Sequence, residues 1–484
     1  MPGLIAIFNE TDQSADLDPL IEKVEFRGEC REIITGDHSC CMTVLDGCSG
    51  KAGSNRPAAI DGYMVVSEEE GIVLQGYEGE KKLCSLIAKD GPSCFENIEG
   101  EFTLAYSDGD GSRLVARDPL GIKPLYYTEK EGTLYIAPEI KVLVDLDTLI
   151  KEVPPGSYLD EHNHWISYYN MPKVGRSNNL SLAEAEEKMR HLLLLAVEER
   201  IAGVDNLGLY LSGGLDSSVV AALAAEIREE PISTYTVGIK GSRDIDYASI
   251  MAERIGSDHH SYTYDLDEML AIIPDVIYHL ESFDCAYVRS AIPNYIAARQ
   301  AAADGREVML TGEGSDEMFV GYSYLKLLGS EQKIEAELEA IFKNLSRTGL
   351  QRVDRMNSAH GLECRVPFLK PALLELVQQF PMEWKLHDFG SDSVDKWILR
   401  KAFEEELGAK IAWRDKEQFD QGSGSAGMLT SVAEEIISDA EFAAESEEAP
   451  VPVRNKEELY YYRIFRGFYP ESVLPLVGRW TRTS

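Results

Sequence analysis

Leu211-Ser212-Gly213-Gly214-Leu215-Asp216-Ser217-Ser218 is the stretch whose residue types point most directly to chemistry. An apolar run, Leu207 to Leu211, ends in two glycines and passes into the helical pattern "VVAALAAEIRE". Glycines let the backbone come close to a ligand, and the amides at a helix start point at an anion. Ser212, Ser217 and Ser218 add hydroxyl donors. Asp216 is ill placed for a bare phosphate but makes sense as a Mg²⁺ ligand beside one. The stretch lacks the GxxxxGK[ST] pattern, so its anion need not be a transferred γ-phosphate. A second group, Thr311-Gly312-Glu313-Gly314-Ser315-Asp316-Glu317, follows the run "EVML". Three carboxylates in a Gly-spaced turn are costly unless a cation or donors meet them.

Two kinds of region must position these residues. As far as about residue 170 the chain reads as β-rich. "YMVVSEEEGIVLQGY" is two short strands around an acidic turn, "FTLAYSD", "SRLVARD" and "TLYIAPE" continue the pattern, and "VPPGSYLDEHNHWISYYNMP" reads as a last hairpin. Ser181 is then a candidate N-cap, with Glu184 three residues on. Beyond it strands and helices alternate, "STYTVGI" before "DYASIMAERIG" for instance, which predicts a parallel sheet covered by helices on both faces. The acidic patch "SDAEFAAESEEAPVPV" is expected to be a mobile loop.

Composition narrows the classes. At 484 residues two to three domains are expected. The net charge is 47 − 83 = −36, which repels phosphate backbones and anionic lipid heads, so neither a nucleic-acid nor a membrane partner is expected. No apolar run is long enough to span a bilayer, and no signal peptide is visible. Cys30, Cys40, Cys41 and Cys48 show no CxxC pair, so the cysteines read as reduced thiols of a cytoplasmic protein rather than a zinc site.

The octet Leu211 to Ser218 resembles the pyrophosphate loop of ATP pyrophosphatases, which split ATP between its α- and β-phosphates. "RDPLGIKPLYY", "LSGGLDSS", "VIYHLESFD", "TGEGSDEMFVGY", "HGLECRVPFL" and "WRDKEQFDQG" stand in the order seen in glutamine-hydrolysing asparagine synthetases, from about residue 91 to about residue 470. The first ~90 residues match poorly. The resemblance implies an α/β chain. Residues 1–172 would form an N-terminal Ntn-hydrolase-like (class II glutamine amidotransferase) αββα sandwich, and residues 180–484 a Rossmann-like ATP pyrophosphatase domain.

The resemblance also implies roles. The expected reaction adenylates a carboxylate, aspartate giving β-aspartyl-AMP and pyrophosphate, and then aminates it with ammonia. Leu211, Val237, Thr311 and Gly312 would hold adenosine, and Ser212, Gly213, Gly214, Ser217 and Ser218 the pyrophosphate. Asp216 and Asp316 would bind Mg²⁺ beside ATP. Glu313 matches the glutamate tied to forming and aminating the intermediate, work suited to a general base. Lys416 and Lys396 match lysines on the phosphate side, and Arg289 an arginine near the acidic substrate, where a guanidinium fork suits a carboxylate. A homodimer is the expected assembly.

Departures from the family bear on both halves. Ala286 and Tyr287 stand where a Thr-Thr pair is usual, which weakens aspartate as the acceptor. Lys370 replaces an aspartate, read here as a surface change. The family's front domain begins Met-Cys-Gly-Ile and uses the cysteine as nucleophile. Pro2 stands at that place. "FRGEC" replaces HRGPD, Cys41 falls near a family arginine, and Asp61-Gly62-Tyr63 replaces NGE. A GSD that grips glutamine falls within "GYEGEKK". The front domain is therefore expected to be a folded support that hydrolyses no glutamine, with ammonia taken up free. The alternatives are a relative acting on another carboxylate or amine, of the β-lactam or isopeptide type, and a non-catalytic homologue.

Overall fold

Leu4 to Phe8 is apolar at every position because both faces of that strand are covered. The computed structural model describes residues 3–9, 17–28, 34–36, 40–45, 58–66, 72–74, 76–107, 113–160, 162–172, 180–388, 393–415 and 426–480. Gly3–Asn9 lies inside a six-stranded sheet ordered Lys151–Glu152, Tyr126–Lys130, Thr133–Ala137, Gly3–Asn9, Cys40–Leu45, Ile34–Gly36. A second six-stranded sheet runs Trp165–Ser167, Ser157–Leu159, Arg113–Arg117, Ile98–Ser107, Ala58–Val66, Ile72–Leu74. The paired strands of both sheets are antiparallel.

Successive side chains on a strand point to opposite faces. Leu4, Ala6 and Phe8 accordingly meet Ala59, Ala105, Val115 and Leu159 between the sheets. Ile5 and Ile7 point the other way, into a core shared with the helices Leu266–Leu280 and Cys285–Ala303. On the far side, Ala58, Met64 and Leu104 pack under Leu83 and Ile87 of the helix Gly76–Asp90. The layers are those of the expected αββα sandwich. The hairpins read from sequence are present: Ala58–Val66 with Ile72–Leu74, and Ser157–Leu159 with Trp165–Ser167.

The back half starts at a capping box. The Ser181 hydroxyl accepts from the Glu184 amide at 3.3 Å, and the Ser181 amide donates to the Glu184 carboxylate at 2.8 Å. The helix Leu182–Ile201 follows. Five parallel strands come next, in the order Asp258–Thr263, Ser233–Gly238, Leu207–Tyr210, Val308–Leu310, Glu363–Arg365. The first three return through the helices Leu215–Ile227 and Arg243–Ile255.

The acidic patch is not a loop. It carries the helix Asp439–Glu448, opened by a second capping box between Ser438 and Glu441. Alanine and glutamate favour helix. Two cations of the neighbouring helix Lys456–Phe468 meet its acids: Lys456 lies 2.7 Å from Asp439, and Arg463 2.5 Å from Glu445.

The halves are joined by buried ion pairs. Glu101 of the second sheet accepts from Arg200 Nε at 2.8 Å and from the Val366 amide at 3.0 Å. Glu139 meets Arg27 and, at 3.1 Å, Arg355. Arg27 also reaches Asp354 at 2.7 Å. Lys370 is buried here, its ammonium 2.8 Å from Glu99 and 2.9 Å from Glu199, so its exchange for the family's aspartate is no surface change.

Candidate functional site

Gly213 makes the turn from strand to helix at φ +66°, the left-handed region that glycine enters freely. A Cβ there would lie 2.3 Å from the carbonyl carbon of Tyr247, so the loop fits flat against the helix Arg243–Ile255 only without a side chain. Gly214 is the N-cap of Leu215–Ile227, whose first amides have no acceptor within the helix, and it lines a small cavity with Ser212, Leu215 and Asp216. The Ser212 and Ser217 hydroxyls lie 3.1 Å apart, and the Gly214 amide donates to Ser212 Oγ at 3.3 Å. Ser218 is fully buried, with its hydroxyl behind the loop rather than in the open space.

The second motif packs onto the first. A Cβ on Gly312 would sit 2.7 Å from the Ser217 amide, so the two turns touch backbone to backbone. Ser315 Oγ donates to Asp216 Oδ1 at 2.7 Å. Lys396, 1% exposed, places its ammonium 2.6 Å from Asp216 and 2.6 Å from Asp316. Gly321 leaves room for this contact, since a Cβ there would lie 2.0 Å from Asp316 Oδ1 and 2.1 Å from Lys396 Cε. Asp216 and Asp316 thus converge on one positive centre. Two carboxylates beside a phosphate loop form a donor set that fits Mg²⁺, an ion held by one or two carboxylates plus phosphate oxygens.

A cavity of about 360 Å³ runs past these residues. Leu211, Ser212, Asp216, Ser217, Val237, Thr311, Gly312, Glu313, Asp316 and Arg289 all line it, so the structure brings together ten residues singled out from sequence. A smaller cavity of about 90 Å³ shares Ser212 and Asp216 with it and adds Gly214, Lys396, Arg400 and Arg414. Arg414 Nη2 pairs with Asp244 at 2.6 Å. Lys416 lies outside the described residues.

Arg289 departs from expectation. Its fork is taken by Glu457, Nε at 2.7 Å and Nη2 at 2.5 Å, with Thr430 Oγ1 accepting at 2.9 Å. Glu457 is 2% exposed and needs a counter-charge, which Arg289 supplies. The guanidinium therefore lines the cavity while bound to the protein's own carboxylate. Its pKa is raised, mainly by the hydrogen bond to Glu457.

Several residues here were not read from sequence. Arg352 Nη2 pairs with Glu313 Oε2 at 2.7 Å. Tyr322 OH donates to Glu317 Oε1 at 2.6 Å. Burial, reinforced by the charges of Glu313 and Asp316, pushes the Glu317 carboxyl up to about 7. Tyr322 and Trp480 complete the wall beside Tyr287, which the sequence had already marked. Within "TGEGSDEMFVGY" only proximity marks Tyr322. Arg352 and Trp480 have no local signature at all.

The front-domain positions are engaged differently. Asp61 is 1% exposed and 3.4 Å from the Lys123 ammonium; burial pushes its carboxyl up to about 6, against the pull of Lys123. Tyr63 is buried and donates to Glu101 at 3.1 Å. Arg27 of "FRGEC" is fully buried in the ion pairs between the halves. Pro2 and Cys30 lie outside the described residues, as do the side chains of Cys41 and of the first three residues of "GYEGEKK", whose backbone opens the helix Gly76–Asp90. Cys84, Cys94, Cys285 and Cys364 carry free thiols, and burial pushes Cys84 up to about 11 and Cys94 to about 12. Among the described residues no helix is long and apolar enough to cross a membrane.

Comparison with known proteins agrees with both halves. The Asparagine synthase family model matches residues 188–339 and 326–477, and the Glutamine amidotransferase domain model matches residues 68–145. A probable glutamine-hydrolysing asparagine synthetase of Schizosaccharomyces pombe is 33% identical over 82% of this chain and 77% of its own length. Asparagine synthetase B of Escherichia coli is 33% identical over 80% of this chain and 73% of its own. Asparagine synthetase 1 of Saccharomyces cerevisiae is 32% identical over 79% of this chain and 76% of its own.

Proposed function

Because this chain belongs to the asparagine synthase family of ATP-dependent amide ligases, we propose that it adenylates a carboxylic acid, aspartate, and aminates the adenylate with free ammonia rather than glutamine. The observation that carries the reading is the convergence of the phosphate loop, Asp216, Asp316 and Glu313 on one cavity.

In the first step a carboxylate oxygen of the acid attacks the α-phosphorus of ATP. The bond from that phosphorus to the bridging oxygen breaks, and pyrophosphate leaves. Ser212, Ser217 and the amides at the start of Leu215–Ile227 hold the departing phosphates, with Lys396 beside them. Asp216 and Asp316 would hold Mg²⁺, which when bound offsets the charge of the leaving group. Lys416 is assigned to the same charge. In the second step the ammonia nitrogen attacks the acyl carbon, the bond to the phosphate oxygen breaks, and AMP leaves. Glu313 takes the proton shed by that nitrogen. Arg352 keeps the Glu313 carboxylate aimed.

Ammonia as nitrogen source is supported by the front domain. Asp61 in place of an asparagine would oppose an oxyanion, and it is already paired with Lys123. The free thiols agree with a cytoplasmic setting.

Pyrophosphate release tests the proposal. ATP, Mg²⁺, ammonium and aspartate should give pyrophosphate and asparagine in equal amounts, and glutamine in place of ammonium should give none. Pyrophosphate without asparagine would remove aspartate as the acceptor, and turnover with glutamine would refute the ammonia assignment. Glu313→Ala should abolish amide formation; wild-type rates in that variant would take Glu313 out of the mechanism.

A further inference from the structure

The large cavity is lined in part by aromatic rings from three distant parts of the chain. Tyr287 comes from the first turn of Cys285–Ala303, Tyr322 follows Asp316, and Trp480 lies near the last described residues. The Trp480 indole stands edge-on to Tyr287 at 6.1 Å and 84°, to Tyr322 at 5.3 Å and 65°, and to Tyr324 at 6.4 Å and 90°. Edge-to-face rings at this spacing attract one another beyond the area they bury.

The strap that carries the indole, residues 477–480, is tied along its length. Ser282 Oγ donates to the Gly478 carbonyl at 2.9 Å. The Trp480 amide donates to Asp284 Oδ2 at 2.9 Å, and Arg454 Nη1 donates to the Trp480 carbonyl at 3.1 Å. Arg479 Nη2 reaches Glu458 at 2.7 Å. Gly478 lies against the backbone of Arg347, where a Cβ would come within 1.7 Å of the carbonyl oxygen. Asp284 does two jobs: its Oδ1 caps Cys285–Ala303 through the Ala286 and Tyr287 amides, and its Oδ2 holds Trp480. One buried carboxylate thus sets the positions of both Tyr287 and Trp480.

A ring held this firmly is a wall. With the reacting carboxylate near Asp216, Glu313 and the α-phosphate, Ala286, Tyr287, Ser290 and Trp480 are lining residues left for the rest of the acid to meet. We propose that Trp480, with Tyr287, is the specificity-determining wall that fixes the length of the acceptor, admitting a short acid of aspartate size and excluding longer ones. The proposal rests on the ligase reading above. One added methylene at such a wall is worth roughly 10- to 200-fold in kcat/KM.

The test uses the full chain, in wild-type, Trp480→Phe, Trp480→Ala and Tyr287→Ala forms, with aspartate, glutamate and longer ω-carboxylates. Two readouts are taken: pyrophosphate release and the change in tryptophan emission on adding acid to the ATP-bound protein. In Trp480→Ala the preference for aspartate over glutamate should fall by about tenfold or more, with the KM for ATP within about twofold of wild type. The acid-induced emission change should disappear in Trp480→Phe. Tyr287→Ala should shift the preference in the same direction. An unchanged order of acids in Trp480→Ala, an emission change that survives in Trp480→Phe, or no emission change in wild type would each overturn the wall. If Trp480→Ala does not fold, the emission readout of Trp480→Phe and the acid order of Tyr287→Ala decide the matter. Failure of the ligase reading looks different: wild-type protein then releases no pyrophosphate with any acid.

Discussion

Glu317 shows how the site's residues constrain one another. Its carboxyl is pushed to about 7, first by burial and then by the charges of Glu313 and Asp316, against an ordinary value of 4.5. The folded protein therefore holds the proton more tightly than the unfolded chain. The stabilisation this gives is fully present below about 4.5 and is lost as pH rises through about 7. Glu317→Gln cannot ionise, so its stability relative to wild type should increase between about pH 5 and about pH 8, measured by urea unfolding. A difference that stays flat over that range would show that Glu317 does not titrate there. Asp216, Glu313 and Asp316 were legible because each stands in a short motif whose spacing itself requires a turn. Arg352 and Trp480 were not, because no sequence period links them to those motifs; only the packing of Gly349–Ser358 and of the 477–480 strap brings them in. The occupied fork of Arg289 was hidden for the same reason, since Glu457 lies far along the chain on the helix Lys456–Phe468.

At the scale of elements, the turn between Leu207–Tyr210 and Leu215–Ile227 is shaped by a glycine rather than by its serines. Gly213→Ala would put a non-glycine residue at φ +66° and a methyl group 2.3 Å from the Tyr247 carbonyl carbon. Left-handed backbone costs about 1–2 kcal/mol outside glycine, and the clash adds to it. The variant should melt lower and lose ATP binding in calorimetric titration; ATP affinity equal to wild type would mean that the loop can tilt freely off Arg243–Ile255. Ser181→Ala should behave otherwise. It removes one capping acceptor, costs about 1 kcal/mol in denaturant unfolding, and leaves ATP affinity intact. Both features could be read from sequence because cap and turn chemistry is local. The helix Asp439–Glu448 was missed although its cap, Ser438 with Glu441, was equally local. Its acid content suggested a solvated loop, whereas the paired cations Lys456 and Arg463 come from the next helix.

Across the whole molecule, charge both separates and joins. A net charge of −36 repels itself, so raising salt from about 0.05 M to about 0.5 M should raise the melting temperature, as read by calorimetry. The pairs between the halves are buried and should be little screened. Removing one partner of a buried pair costs about 3–5 kcal/mol, because the other charge is left without a counterpart. Glu101→Ala, which strands Arg200 and the Val366 amide, should therefore lower the melting temperature of both halves in one shared transition. Two separated transitions, with only the front one shifted, would show that the halves unfold independently. The αββα layers and the parallel sheet followed from strand patterns and family motifs, but this junction did not. Glu99, Glu101 and Glu139 belong to the front half, while Arg200, Arg355 and Lys370 belong to the back.

If the front half splits no glutamine, as proposed above, its loss would still be costly to the back half. Here deletion would expose Arg200, Arg355 and Lys370 with no acids facing them from the front half, and no single substitution neutralises all three. On that reading the front half serves its neighbour as a counter-ion, whatever chemistry it does or does not perform.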